Sequence, residues 1–391
     1  MKCYLVGGAV RDRLLDLPVL ERDWVVVGGT EAEMLEAGFS RADAQFPVFV
    51  HPQTGEEYAL ARTEIKTGPG YKGFKVACGP DVTLEQDLLR RDLTINALAQ
   101  DESGALIDVC HGQDDLHEGL LRHITPAFCE DPVRLLRIAR FAAKLGKWGF
   151  RVAHGTYGLL KKMAASDDLL NLKPERVWRE MQKAITEPEP WRFFEVLQRC
   201  GALGRLVPEF QQVMGEGTGH AAKASTEALV ALRRAAALTQ SPQVRLAVVL
   251  YLPARLAADA EQFMRRLTLD RVVAERVRDL LILSPRLLGA CQAEDLLAVV
   301  YRLKPGRQKQ RYMDFLLACR ALWPEIETQS LGRTLELARQ AIEAVETADL
   351  RAQGLAGAAL GAALRQQQIE WLSARLRQLS EEPKPPAEES C

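Results

Sequence analysis

The chain has 391 residues, 47% of them hydrophobic and 26% charged, with a formal net charge of −1 at neutral pH. That length exceeds what one ordinary core organises, so two to four lobes are expected. The near-neutral charge excludes a uniformly basic nucleic-acid binder and leaves room for a local basic face.

Arg11, Asp12 and Arg13 follow closely on a short apolar start, which argues against a secretory signal. No stretch approaches the roughly 18–20 apolar residues needed to cross a bilayer, so no membrane partner is expected. Cys3, Cys78, Cys110, Cys129, Cys200, Cys291, Cys319 and Cys391 form no CxxC pair, which suits reduced thiols in the cytoplasm.

In chain order, Tyr4-Leu5-Val6 and Trp24 to Val27 are apolar, β-branched runs bounded by glycines and predict buried strands. Between them, Ala9 to Leu15 has helical spacing. Further strands are expected at Phe46 to Val50 and Tyr58 to Arg62. The segment Thr67 to Asp81, with Gly68, Gly70, Gly73, Gly79, Pro69 and Pro80, reads as a mobile loop. From Asp131 onward helical patterns dominate, as in Pro132 to Lys144, Pro174 to Ile185, Trp191 to Cys200 and Leu335 to Ala348. From Glu381 the chain is proline-rich and charged, so disorder is expected there.

The fold class is therefore α+β, a mixed α/β head over 1–123 followed by helices. Those divide into a neck over 124–209 and a body and tail over 210–380, with 381–391 disordered. Trp148, Trp178, Trp191 and Trp323 fall in helical context and are expected to anchor cores.

Gly7-Gly8 stands between a strand and a helix, where glycines let backbone N–H groups approach an anion. Arg11, near the start of that helix, can add a charge-assisted contact to a triphosphate. By itself such a pair is an ordinary turn. Glu21 and Asp23 follow at the mouth of the Trp24 to Val27 strand. Residues two apart in a strand share a face, so both carboxylates can reach one magnesium cluster. The pairing of turn and carboxylates is far more specific than either part.

Gly7-Gly8-Ala9-Val10-Arg11-Asp12 followed by Glu21-Arg22-Asp23-Trp24-Val25-Val26-Val27-Gly28 resembles the signature of the bacterial class II CCA-adding enzymes, tRNA nucleotidyltransferases of the polymerase-β superfamily. Phe46-Pro47-Val48-Phe49, His51-Pro52-Gln53 and Glu57 to Glu64 continue the likeness, which is dense to about residue 210. The resemblance implies that Arg91, Asp92 and Asn96, within Arg90 to Ala97, contact ribose and phosphate. It gives Gly8 a place at the triphosphate. It also implies tRNA, ATP and CTP as partners, Mg2+ as cofactor and two-metal release of pyrophosphate; the sequence leaves the oligomeric state open, with a monomer as the simplest expectation. Aspartate is usual in that family where Glu21 stands here, which alters the expected metal geometry. Glu64 is a candidate third carboxylate.

Glu130-Asp131-Pro132-Val133-Arg134 resembles the family's amino-acid template. At i and i+3 on a helix, Asp131 and Arg134 would be neighbours. Asp only accepts hydrogen bonds and Arg only donates them. Cytosine and adenine present a donor beside an acceptor in the matching order, whereas uracil and guanine present the reverse. The loop at Thr67 to Asp81 is the candidate for choosing between C and A.

Arg134, Arg137, Arg140, Lys144 and Lys147 form one stripe opposite Leu135, Ile138, Ala139 and Ala142. Within it, the resemblance assigns Arg137 and Arg140 to the triphosphate and the lysines to RNA backbone. Some relatives carry a histidine–aspartate phosphohydrolase domain. Here only His220 lies beyond residue 154, and Val249-Leu250-Tyr251-Leu252 occupies the place of the His-Asp pair, so no such activity is expected. His51, His111, His117, His123 and His154 show no ligand spacing. A poly(A) polymerase, a relative adding only CC or only A, and an inactive tRNA-binding protein remain as alternatives.

Overall fold

Two β-branched runs near the N-terminus become the middle of a seven-stranded sheet. In this computed structural model, which describes residues 1–42, 46–66, 68, 74–210, 220–288, 292–325 and 328–381, the head opens with β1 (Lys2–Val6), α1 (Gly8–Leu14) and β2 (Asp23–Val27). There follow α2 (Glu31–Glu36), β3 (Ser40–Arg41), β4 (Val48–Val50) and β5 (Glu57–Leu60). Next come a hairpin of β6 (Arg62–Lys66) and β7 (Phe74–Cys78), then α3 (Leu84–Leu89), β8 (Leu98–Gln100) and β9 (Leu106–Asp108). The sheet order is β3-β4-β5-β2-β1-β8-β9. Only β2 and β5 run parallel within it; the other neighbours are antiparallel.

The continuous apolar run of β2 is explained by burial on both faces. Val25 packs with Val6, Ala61, Leu88, Ala97 and Ala99, while Val26 packs on the other side with Met34, Phe49 and Leu60. Register then places Asp23 opposite Val6, one residue from Gly7. The carboxylate and the glycine turn are thus adjacent because β1 and β2 must pair to bury their valines.

Past the head lie α4 (Gly112–Glu118) and β10 (Leu120–Leu121), then α5 (Val133–Leu145), β11 (Arg151–Val152) and α6 (His154–Ala165). They are followed by α7 (Pro174–Thr186), α8 (Trp191–Arg199) and α9 (Leu203–Leu206). The amphipathic α5 buries Leu135, Leu136, Ile138, Ala139, Ala142 and Ala143 and packs on α7 and α8. Head and neck form one compact unit, Met1–Gly215; the second is Glu216–Cys391.

The second unit is helical in its described residues. Where the His-Asp pair was sought, helix Pro242–Leu256 buries Val249, Leu250 and Tyr251. The Tyr251 hydroxyl lies 2.8 Å from Ser284 Oγ, and its ring meets Trp323 edge-on. Buried Asp279 accepts from Arg302 and Arg311. Among the described residues no helix is long and apolar enough to cross a membrane.

Several expectations are corrected. Phe74 to Cys78, read as part of a loop, pairs antiparallel with β6 as a strand, with Val76 opposite Glu64; residues 67 and 69–73 lie outside the described residues. Leu335 to Ala348 is not one helix: Thr328–Ala344 ends, Glu346 is extended, and Thr347–Ala352 begins anew. β-branched Val345 and Thr347 flank that break. The neck contains one strand, β11, paired parallel with β10. The tail expected to be disordered lies outside the described residues beyond residue 381.

Gly112 opens α4 at an approach that no side chain tolerates. A Cβ there would sit 2.4 Å from the Thr94 carbonyl oxygen, and backbone cannot yield as a flexible side chain would. Gly112→Ala should therefore lower stability by about 1–3 kcal/mol, read as a lower thermal unfolding midpoint. An unchanged midpoint would show that the Thr94 segment moves freely.

Candidate active site

The glycine turn, the mouth of β2, the Arg90 to Asn96 segment and one face of α5 and α7 enclose a cleft of about 1030 Å³. Gly7 has φ +67°, a left-handed conformation that favours glycine, and a Cβ on it would fall 2.9 Å from Arg91 Nη1. The turn therefore lets the Arg91 guanidinium lie against the backbone. Among the described lining residues ten side chains are cationic and six acidic, a balance suited to a polyanion.

Four of the six acids are committed to cations. Asp12 accepts from Arg11 at 2.8 Å and from Lys144 at 3.0 Å, joining α1 to α5. Glu64 accepts from Arg62 at 3.0 Å and Arg90 at 2.9 Å. Asp92 accepts from Arg137 at 2.7 Å, from Asn96 Nδ2 at 3.0 Å and from the Leu93 N–H at 2.9 Å. Asp131 lies 3.5 Å from Arg176.

Glu21 and Asp23 are the other two. Both line the cleft, both are exposed, and among the described residues neither has a hydrogen-bond or ion-pair partner. Desolvation raises the Asp23 pKa; Arg91 opposes that rise and Glu21 adds to it, so the two carboxylates sense each other. Glu21 precedes β2, and the strand's alternation therefore does not set its direction. An oxygen pair left without a cation amid so many arginines is a donor set that fits a hard divalent ion, with remaining ligands from phosphate and water. Glu64, considered as a third carboxylate, is instead held by two arginines. Among the described residues no group of three or more potential ligands forms.

Asp131 is not on the helix. It is extended just ahead of α5, and its carboxylate accepts the Val133 N–H at 3.1 Å. Pro132 takes the cap position, and this side-chain bond supplies one of the acceptors the helix start lacks. Arg134 still comes close, its backbone N–H bonding the Asp131 carbonyl at 3.0 Å and its guanidinium donating to the Arg90 carbonyl at 2.7 Å. Both residues line the same cleft.

Arg140 donates to Glu180 at 2.8 Å. The guanidiniums of Arg11, Arg137 and Arg140 all lie over the Phe141 ring, at 5.2, 5.8 and 4.8 Å. Arg11 is only 3% exposed and also donates to Asn96 Oδ1. Gly8, Arg11, Arg91, Asp92, Asn96, Asp131, Arg134, Arg137 and Arg140 are thus brought to one cleft.

Lys147 does not line the cleft. It stands 4.1 Å over the Trp148 ring, and Trp148, expected in a core, is 42% exposed on the cleft wall. It lies beyond the end of α5 in a short turn closed by left-handed Gly149, so helical spacing does not govern it. By contrast Trp178 is buried. Arg62, Arg90, Arg176 and Lys183 line the cleft without having been singled out in the sequence. Arg176 and Lys183 sit seven apart on α7, a two-turn spacing that could have signalled them.

Residues 3–122 match the family described as the Poly A polymerase head domain, and residues 149–214 that described as the probable RNA and SrmB-binding site of polymerase A. The sheet is therefore similar to the head domain of a nucleotide-polymerising enzyme. The Multifunctional CCA protein of Thioalkalivibrio sulfidiphilus is 43% identical over 95% of this chain and 98% of its own length. The CCA-adding enzyme of Pseudomonas putida is 44% identical over 96% and 98%. A solved structure, the Bacillus stearothermophilus CCA-adding enzyme in complex with CTP, shares the fold with a TM-score of 0.65, covering 97% of this chain and 94% of that one at 22% identity. The chain belongs to the CCA-adding enzyme family.

Burial pushes the Asp92 carboxyl up, but the Arg137 guanidinium, the Asn96 hydrogen bond and the nearby Arg134 charge outweigh it and hold the carboxyl well below the usual range. A depressed carboxylate stabilises the fold above its unfolded pKa of about 3.9 and loses that contribution as pH falls through the lower folded value. The stability difference between the native chain and Asp92→Asn should therefore be constant from about pH 8 to pH 5 and shrink only below about pH 4. Denaturant titrations across pH check this. A difference already fading at pH 6 would point to another group.

Proposed function

We propose that this chain rebuilds the 3′ end of tRNA, adding CMP twice and AMP once from CTP and ATP without a nucleic-acid template. The observation that carries this reading is the exemption of Glu21 and Asp23 from the ion pairing that engages Asp12, Glu64, Asp92 and Asp131. Magnesium held by that pair would supply Lewis-acid assistance to the attacking hydroxyl and the leaving pyrophosphate.

The residues themselves do the rest. Gly8 and Arg91 at the turn, with Arg137 and Arg140 from α5, bind and orient the triphosphate. Asp92 fixes the direction of Arg137, and Asn96 adds a polar contact beside it. The 3′-oxygen of the RNA then attacks the α-phosphorus, a new P–O bond forms, and the bond to pyrophosphate breaks. Asp131 and Arg134 present one acceptor beside one donor, matching cytosine and adenine and facing uracil and guanine with like against like. Rejection by buried, mispaired polar groups is on the order of 10⁴-fold. The head over 1–123 carries the chemistry, the neck over 124–209 the reading residues, and the helices over 210–380 hold RNA without chemistry of their own. The enzyme works in the cytoplasm. Near end-to-end likeness to CCA-named relatives favours this over poly(A) tailing.

Incubation with tRNA ending before CCA and each nucleoside triphosphate in turn tests the reading. CTP alone should give two additions, and ATP one more only after them. Asp23→Ala should lower CMP incorporation by roughly 10²–10³-fold, the scale of losing a group that stabilises transition-state charge. Indiscriminate A addition to any RNA end would replace the proposal with tailing.

Asp131→Ala and Arg134→Ala should raise UMP and GMP incorporation relative to CMP and AMP. Variants that stayed faithful while slowing would remove the template role of this pair.

A further inference from the structure

On the other side of α5 lies a second cavity, of about 590 Å³, within the range that holds a nucleotide-sized ligand. Its floor includes Ala142, two residues from Arg140 and so on the opposite helix face from the reactive cleft. Its walls carry Arg122, Arg151, Arg192 and Arg199 against a single acid, Glu195, among the described lining residues. In a chain with net charge −1 that is a marked local excess.

Two of these arginines have carboxylate partners and two do not. Arg122 pairs through Nε with Asp115, and Arg192 through Nε with Glu189. No described carboxylate lies within ion-pair distance of Arg151 or Arg199. Arg151 donates only a long bond to the Glu118 carbonyl, and Arg199 lies 4.4 Å over the Tyr157 ring. The placement follows from the elements: Arg192, Glu195 and Arg199 recur at three- and four-residue intervals on α8, while β11 pairing with β10 sets Arg151 opposite Leu120. Planar guanidiniums converging on a cavity with apolar walls match tetrahedral phosphate oxygens, which they bind bidentately. No part of the reaction described above uses them.

We infer that this cavity is a phosphate-binding site separate from the reactive cleft, engaging the phosphodiester backbone of an RNA or the phosphates of a free nucleotide. The inference rests on the nucleotidyl-transfer reading only in the choice of tRNA and ATP as probes.

The test compares the full chain with Arg151→Ala/Arg199→Ala, both side chains lying at the surface, and with Arg199→Lys as the charge-retaining control. Binding of fluorescein-labelled tRNA lacking CCA is followed by anisotropy against salt, and binding of radiolabelled ATP by equilibrium dialysis. With RNA as the source, the Kd for tRNA rises about tenfold and the slope of log K against log salt becomes shallower by roughly 0.9 for each phosphate no longer neutralised. Arg199→Lys recovers part of the affinity, and kcat and the KM for CTP stay within about twofold. With a free nucleotide as the source, tRNA binding is unchanged and ATP stoichiometry drops from two per chain to one. Unchanged tRNA and ATP binding would overturn the inference, as would weaker tRNA binding with an unaltered salt slope. A native chain that bound tRNA here yet added no CMP would refute the proposed reaction and leave this site standing.

Discussion

Like charges crowded into a cleft for a polyanion repel one another before any substrate arrives, and the Asp92–Arg137 pair is the centre of the solution found here. A carboxylate that is 7% exposed holds the guanidinium at 2.7 Å, while Asn96 and the Leu93 N–H satisfy its other oxygen. Asp12 serves Arg11 and Lys144 in the same way, and Glu64 serves Arg62 and Arg90. Each of the pairs Asp92–Arg137, Asp12–Lys144 and Glu64–Arg90 joins segments distant in sequence, so the charges that shape the cleft also fasten its walls together. Removing one partner leaves the other desolvated and unpaired, the costly case for partly buried ions.

Against that background the freedom of Glu21 and Asp23 has a physical meaning. Both escape neutralisation although Arg91 is near enough to act on Asp23. Desolvation and the neighbouring Glu21 disfavour charge on Asp23, a state that a divalent ion would relieve. Glutamate at position 21 retains two oxygen donors on a longer stem, and because it lies outside β2 its reach is set by the irregular segment before the strand. The altered side chain thus changes where a metal would sit more than whether it would be held.

In the second unit, the segment Val249–Tyr251 is buried within a helix. Tyr251 with Ser284 and Trp323, and Asp279 with Arg302 and Arg311, fill its interior with satisfied polar groups and apolar side chains.

Local pattern determined a good deal of this. Alternation and β-branching placed β1 and β2, Gly7-Gly8 placed the turn, and three- and four-residue spacing placed Arg134, Arg137, Arg140 and Lys144 on one face of α5, because these depend on neighbours within a few residues. Tertiary structure decided what long-range contacts control. It paired Phe74–Cys78 with Arg62–Lys66 as a strand, set Asp131 ahead of its helix, and turned Trp148 out of the core. It also chose which carboxylates meet an arginine or lysine, since Asp12 to Lys144 and Asp92 to Arg137 span more than forty residues each. Acidic residues look alike in a sequence; only the packed chain distinguishes those already neutralised from the two that meet no cation among the described residues.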